Sequence, residues 1–248
     1  MSTLTVYPDP NPESTTGDGS LHNDDAAADW AGIRDDTACT SVFPSDAQLH
    51  AARIESDATG LLYPTMTRSI FLWDITGVPA GATFTAGAHT VSFFAKVIQD
   101  TFGSQSLSLV GSTPATNTDI VVGDYDQLDT TKRATDITFA ALTDEAYNDF
   151  TGNSTLDSDI STAYAGSKIV KLGLRVASDV ANSAPSGASK VVGFQCSSAD
   201  EALTTQDPKL VLAYTTTLIK TILGVTEANT KTFNGVTNAN MKTFNGVS

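Results

Sequence analysis

The chain has 248 residues, with 14 Lys and Arg against 28 Asp and Glu, a formal charge of −14. With 40% hydrophobic and only 17% charged residues it is not a disordered polyelectrolyte, and the acid excess argues against the basic footprint of a nucleic-acid binder. No apolar run approaches the ~18 residues of a membrane span, so neither nucleic acid nor membrane is expected as a partner.

Ser2–Tyr7 alternates threonine with Leu4 and Val6, the period of a strand. Pro8, Pro10 and Pro12 then end it, because proline removes ladder donors. Residues 13–37 are polar and acidic around Trp30 and read as a long ordered loop with one short strand. Arg68–Ile75 (RSIFLWDI) is the strongest strand, nearly continuous in apolar residues as a strand buried on both faces would be. Thr90–Ile98, Ser106–Val110 and Asp119–Val122 follow as strands between Gly/Pro turns.

Two short helices are expected in the middle. Thr143 can cap one, with Asp144 and Glu145 in its first turn. Leu156, Ile160 and Tyr164 recur at helical spacing in the other, with Gly166 as its stop. Lys168–Ala177, Ser189–Cys196 and Lys209–Thr216 complete a set of about eight strands. This pattern predicts an all-β jelly-roll β-sandwich of antiparallel strands with two helical insertions over residues 1–216.

Residues 217–248 differ. From Lys220 the chain repeats with a period of eleven: a unit opens at Lys220, another at Lys231 and a partial one at Lys242. Asn234-Gly235 and Asn245-Gly246 sit between apolar residues, a tight-turn signal. Fewer than three such units cannot form a core by stacking on one another. The tail is therefore expected to dock or oligomerise through Lys220, Ile222, Lys231, Phe233, Lys242 and Phe244. It carries three lysines against Glu227, or +2, which leaves −16 on the rest of the chain.

Several segments, in order, resemble the DNRLRE-like jelly-roll domains related to carbohydrate-binding modules. They are Arg68–Ile75, Val78–Phe84, Gly111–Ala115, Val122–Tyr125, Ala146–Phe150 and Asp207–Leu212, spread over roughly residues 2–215. The tail resembles short repeats at the C-termini of phage structural proteins. The resemblance implies a structural or binding role at a virion surface or in the extracellular space. Its partners would be other structural proteins of a particle, copies of itself, or glycans.

The chemistry-bearing residues are sparse. No nucleophile elbow, HExxH motif or phosphate-binding glycine loop is present, and His22, His50 and His89 are scattered, so a non-catalytic protein is expected. Calcium is the cofactor the acidic loops suit, since it takes six to eight oxygen ligands. Asp9, Asp18, Asp24, Asp25 and Asp207 are the candidate ligands, weighed against a merely solvated acidic surface. Trp30, in a polar loop, is the candidate glycan contact, and Trp73 is expected in the core. Cys39 and Cys196 lie far apart in sequence and fit either a disulfide or two small buried thiols. Met1–Tyr7 has neither a basic nor an apolar leader region, so release by lysis as part of a virus particle is one expected route out of a cell. A secreted carbohydrate-binding or adhesive module is the alternative.

Overall fold

The computed structural model describes residues 1–202 and 204–216, together with 221–222, 225–226, 232–233 and 236–237 of the tail. The first half contributes β1 (Ser2–Val6), β2 (Asp18–Asp24), β3 (Ser41–Phe43), β4 (Gln48–Glu55), β5 (Thr65–Asp74), β6 (Ala82–Phe84) and β7 (Thr90–Asp100). The second contributes β8 (Ser106–Ser112), β9 (Leu128–Lys132), β10 (Ile137–Thr138), β11 (Tyr147–Thr151), β12 (Ile169–Val176), β13 (Val191–Ser197) and β14 (Lys209–Thr216). Helices α1 (Trp30–Arg34), α2 (Ser154–Ala165) and α3 (Ala177–Val180) lie between strands.

All the pairings are antiparallel, and they build an all-β, sandwich-like fold of two sheets. In one sheet β14 carries β1 along one edge and β6 and β7 along the other, and β11 adds to β7. In the other, β13 joins β4, and β5 carries β2 on one edge with β4 and then β12 on the opposite edge. β8 extends that sheet beyond β12. β7 belongs to both: Thr90–Phe94 pairs with β11, and Ala95–Asp100 pairs with β13. Because β1 pairs with β14, the body is closed by its first and last strands before the tail begins.

Side-chain alternation along β5 explains its continuous apolar run. Phe71 and Trp73 enter the main core with Phe93, Phe150, Leu172, Leu210 and Leu212, drawn from both sheets. Ile70 and Leu72 face the other way, into a second cluster with Leu21, Val110 and Tyr125. All of these side chains are wholly or almost wholly buried, and each contributes about 1.5–3 kcal/mol of transfer free energy. Gly173 of β12 lies where β-carbon space is missing. An added Cβ would meet the Ser69 carbonyl oxygen at 2.6 Å and Leu128 Cδ2 at 2.4 Å.

Arg68 also lies on β5, and it is buried because its donors are matched. Its Nε and Nη2 donate to Asp179 at 2.9 Å each, and Nη1 donates to the Tyr125 carbonyl at 2.8 Å. Arg175 grips the same carboxylate from β12 at 2.7 and 2.8 Å. Burial works against the Asp179 charge, but the two guanidiniums outweigh it and hold the carboxyl down at about 2. Tyr125 lies under the Arg68 guanidinium at 4.1 Å and donates its hydroxyl to the Ile33 carbonyl. These contacts tie α1, α3 and the 122–125 turn to the sheet.

Several sequence expectations are corrected. The helix expected from Thr143 does not form. Glu145 has φ +49°, which a helix cannot hold, and the Asn148 side chain bonds both the N–H and the carbonyl of Thr143. β11 follows at once, with Asn148 and Phe150 turned inward against β7. The strand expected at Asp119–Val122 is a loop entering a 3-10 turn at Val122–Asp124, because the Asp124 carboxylate takes the Val121 and Ala115 N–H groups. The helix with Leu156 and Ile160 inward does form as α2, capped by Asn153 and stopped at Gly166. Short strands raise the number in the two sheets from about eight to fourteen. Cys39 and Cys196 are free thiols, both buried and in different core clusters.

In the tail, β15 (Thr221–Ile222) pairs with β16 (Val225–Thr226), and β17 (Thr232–Phe233) pairs with β18 (Val236–Thr237). The register is identical, Thr221 opposite Thr226 and Thr232 opposite Thr237. Each of the first two units thus contributes one antiparallel strand pair at the same place in the repeat.

Candidate functional site

The main concentration of unmatched polar chemistry lies where the proline-rich segment after β1 meets the 199–207 connection from β13 to β14. A cleft of about 610 Å³ opens there, lined by Tyr7, Pro8, Pro10, Asp200, Glu201 and Asp207 among others. The prolines stop β1 from extending and turn the chain away from β14. Tyr7, just past the strand, is left 44% exposed on the cleft wall.

Asp200, Glu201 and Asp207 line the cleft, and Asp18 lies near them outside its lining. Asp18 opens β2 and is 1% exposed. Its Oδ2 accepts the Ala199 N–H at 3.0 Å, while Oδ1 has no partner. Burial pushes its carboxyl well above the ordinary value, and the nearby Asp200, Glu13 and Asp207 carboxylates push the same way. Asp207, 6% exposed, also has an unpartnered Oδ1. Burial, then Glu201 and Asp200, raise it to about 6. Asp200 accepts the Asn11 N–H with Oδ1, and its buried Oδ2 has no partner. Three buried carboxylate oxygens in one neighbourhood thus lack a donor. Lys96 stands 4.0 Å from Glu201 and bonds Gln206. Leaving such an oxygen unsatisfied costs about 1–3 kcal/mol, a cost that a proton, a cation or a buried water relieves.

The five aspartates considered for calcium do not form one set. Asp18 and Asp207 share the cleft neighbourhood. Asp9 turns away: burial opposes its charge, but the Ser14 hydroxyl at 2.8 Å and the Thr15 and Thr16 N–H groups outweigh burial and hold its carboxyl below the ordinary value. Asp24 ends the strand that Asp18 begins, about 20 Å away at strand rise, and Asp25 accepts the Ala27 N–H beside α1. Among the described residues no three Asp, Glu, His or Cys side chains converge closely enough to hold a metal ion. Sequence reasoning missed Asp200 and Glu201, although an acidic pair directly after a strand and close before Asp207 was a visible signal.

Trp30 begins α1 and is half-buried. Its ring meets Tyr63 edge-on with centroids 5.0 Å apart, and its Nε1–H donates to Asn182 Oδ1 at 3.0 Å. Of the docking residues, Ile222 and Phe233 lie in β15 and β17. Lys220, Lys231, Lys242 and Phe244 lie outside the described residues. A second cleft, of about 380 Å³, is bordered by α2 and β12. Its Arg133 is already matched by Asp129 at 2.8 Å and Asp159 at 2.6 Å.

Fold and site together define an antiparallel β-sandwich module with an acidic cleft at the junction of its first and last strands. Compared with protein-family models and with curated proteins, the chain gives no match.

Proposed function

We propose that this chain is a non-catalytic structural component of a virus-particle surface, such as a head decoration, head fibre or tail-fibre protein. The sandwich faces outward, and the C-terminal repeats anchor it to other structural proteins or to copies of itself. The observation that carries this reading is the two identically registered strand pairs beyond a body already closed by β1 and β14. A strand pair this short is not stable alone in water, and units of fixed period hold together by stacking on neighbours. The alternative of a glycan-binding module needs an open aromatic face. Trp30 is the candidate, and its ring edge and indole N–H are engaged by Tyr63 and Asn182.

Deleting Lys220–Ser248 tests the reading. The expected product keeps its β-sheet circular dichroism and a cooperative melt but no longer assembles. Retained assembly would overturn the proposal.

A further inference from the structure

The acidic cleft and the basic tail have complementary chemistry. Asp18 Oδ1, Asp200 Oδ2 and Asp207 Oδ1 are buried without donors. The wall beside them is the exposed Tyr7 ring with Pro8 and Pro10. Calcium takes six to eight oxygens, and the described residues do not bring three candidate ligands together. An ammonium needs far less: it has three donors and no demand for a closed shell. A cation on an apolar stem fits better still. The stem lies along the aromatic and proline wall while the head reaches the carboxylates, as lysine does when its methylenes are covered.

The chain supplies such a group at regular intervals, because each eleven-residue unit opens with a lysine: Lys220, Lys231 and Lys242. The charges also match, +2 on the tail against −16 on the rest. Lys220 cannot reach the cleft of its own chain. Asp207 precedes the start of β14 and the tail leaves from its far end at Thr216, so β14 separates them by about 23 Å at strand rise. Lys220 lies four residues past Thr216, a reach of about 14 Å of extended chain.

We propose that the cleft formed by Tyr7, Pro8, Pro10, Asp200 and Asp207 receives Lys220 from the tail of a second copy of this chain. The contact is head-to-tail, so it propagates into a ring or a fibre rather than closing as a two-fold dimer. This inference rests on the reading of the tail as a docking segment and names its partner surface.

The test is sedimentation velocity on the full-length chain at neutral pH, with three full-length proteins compared: the parent, K220E/K231E/K242E and D200N/D207N. The expected result is concentration-dependent association of the parent, weakened at least about tenfold in both variants and in 1 M NaCl, where the Debye length is ~3 Å. Restored association in a protein carrying D200K/D207K together with the three Lys→Glu changes would confirm the pairing. If deletion of Lys220–Ser248 abolishes association while both charge variants associate like the parent, the lysine pocket is overturned and the docking tail stands. If association survives the deletion, both are overturned. If calcium chloride raises the melting temperature of the parent but not of D200N/D207N, while the lysine variant still associates, the occupant is a metal and the lysine proposal fails.

Discussion

Asp179→Asn should be the most damaging single-atom-scale change in the body. The Asp179 carboxylate accepts four charge-assisted bonds at 2.7–2.9 Å, two from Arg68 and two from Arg175. The side chains of both arginines are 3% exposed, so water cannot replace the lost charge. Asparagine offers one oxygen, and its amide turns donors toward donors. Breaking a buried ion pair from one side costs about 3–5 kcal/mol. The remaining acceptors, the carbonyls of Tyr125, Arg34, Leu128 and Asp129, keep the cost inside that range. At ~2–4 °C per kcal/mol for a domain of this size, a loss of about 4 kcal/mol lowers the melting temperature by about 8–16 °C. A pH signature accompanies it. The folded carboxyl sits near 2, below its ordinary 3.8, so its contribution is complete above 3.8 and is lost as pH falls through that window toward 2. The size is about 2 kcal/mol. Urea unfolding at pH 7 and pH 3 checks both. A D179N protein whose urea midpoints overlay the parent's at both pH values would refute the reasoning.

Asp207 gives the opposite pH dependence. Its folded carboxyl is raised to about 6, so its contribution to stability is complete below 3.8 and is lost as pH rises through about 6. Asp207→Asn, measured as dilute protein in high salt, should raise the melting temperature at pH 7 and flatten its decline between about pH 4 and 6; a lower melting temperature at pH 7 contradicts this. Gly173→Ala should cost about 1–3 kcal/mol, because the new methyl meets the Ser69 carbonyl and Leu128; an unchanged denaturant midpoint would argue against that close approach. Burial pushes the Cys39 thiol up to about 11 and the Cys196 thiol well above its ordinary value. Both thiols should therefore resist a thiol reagent in the native protein and react together in denaturant; fast labelling of either before unfolding would contradict their burial.

The sequence revealed most where one interaction dominated. β5, β7, β12 and β14 were legible because β-branched and aromatic residues saturate them, and α2 because Leu156 and Ile160 recur on one face above an asparagine cap. β4 was missed. Its run QLHAARIE has little strand propensity of its own, and only its place between β13 and β5 makes it a strand. The helix at Thr143 failed for the converse reason: local capping chemistry was real but lost to pairing with β7. The site was half legible. Asp207 was identifiable as an acid near the last strand, and Asp18 as one of the acids of the N-terminal loop. Their unpartnered oxygens, the contribution of Asp200 and the Tyr7 wall arise only when distant segments meet. Asp9 and Asp25 look equivalent to them in sequence, yet they serve local turns.

The central claim is that a self-contained sandwich carries a tail that must find a partner. The molar mass of the intact chain by sedimentation equilibrium, followed through the micromolar range at low salt, tests it most directly. The account predicts masses that climb through multiples of 25.9 kDa as concentration rises. A single species of 25.9 kDa at every concentration would contradict it.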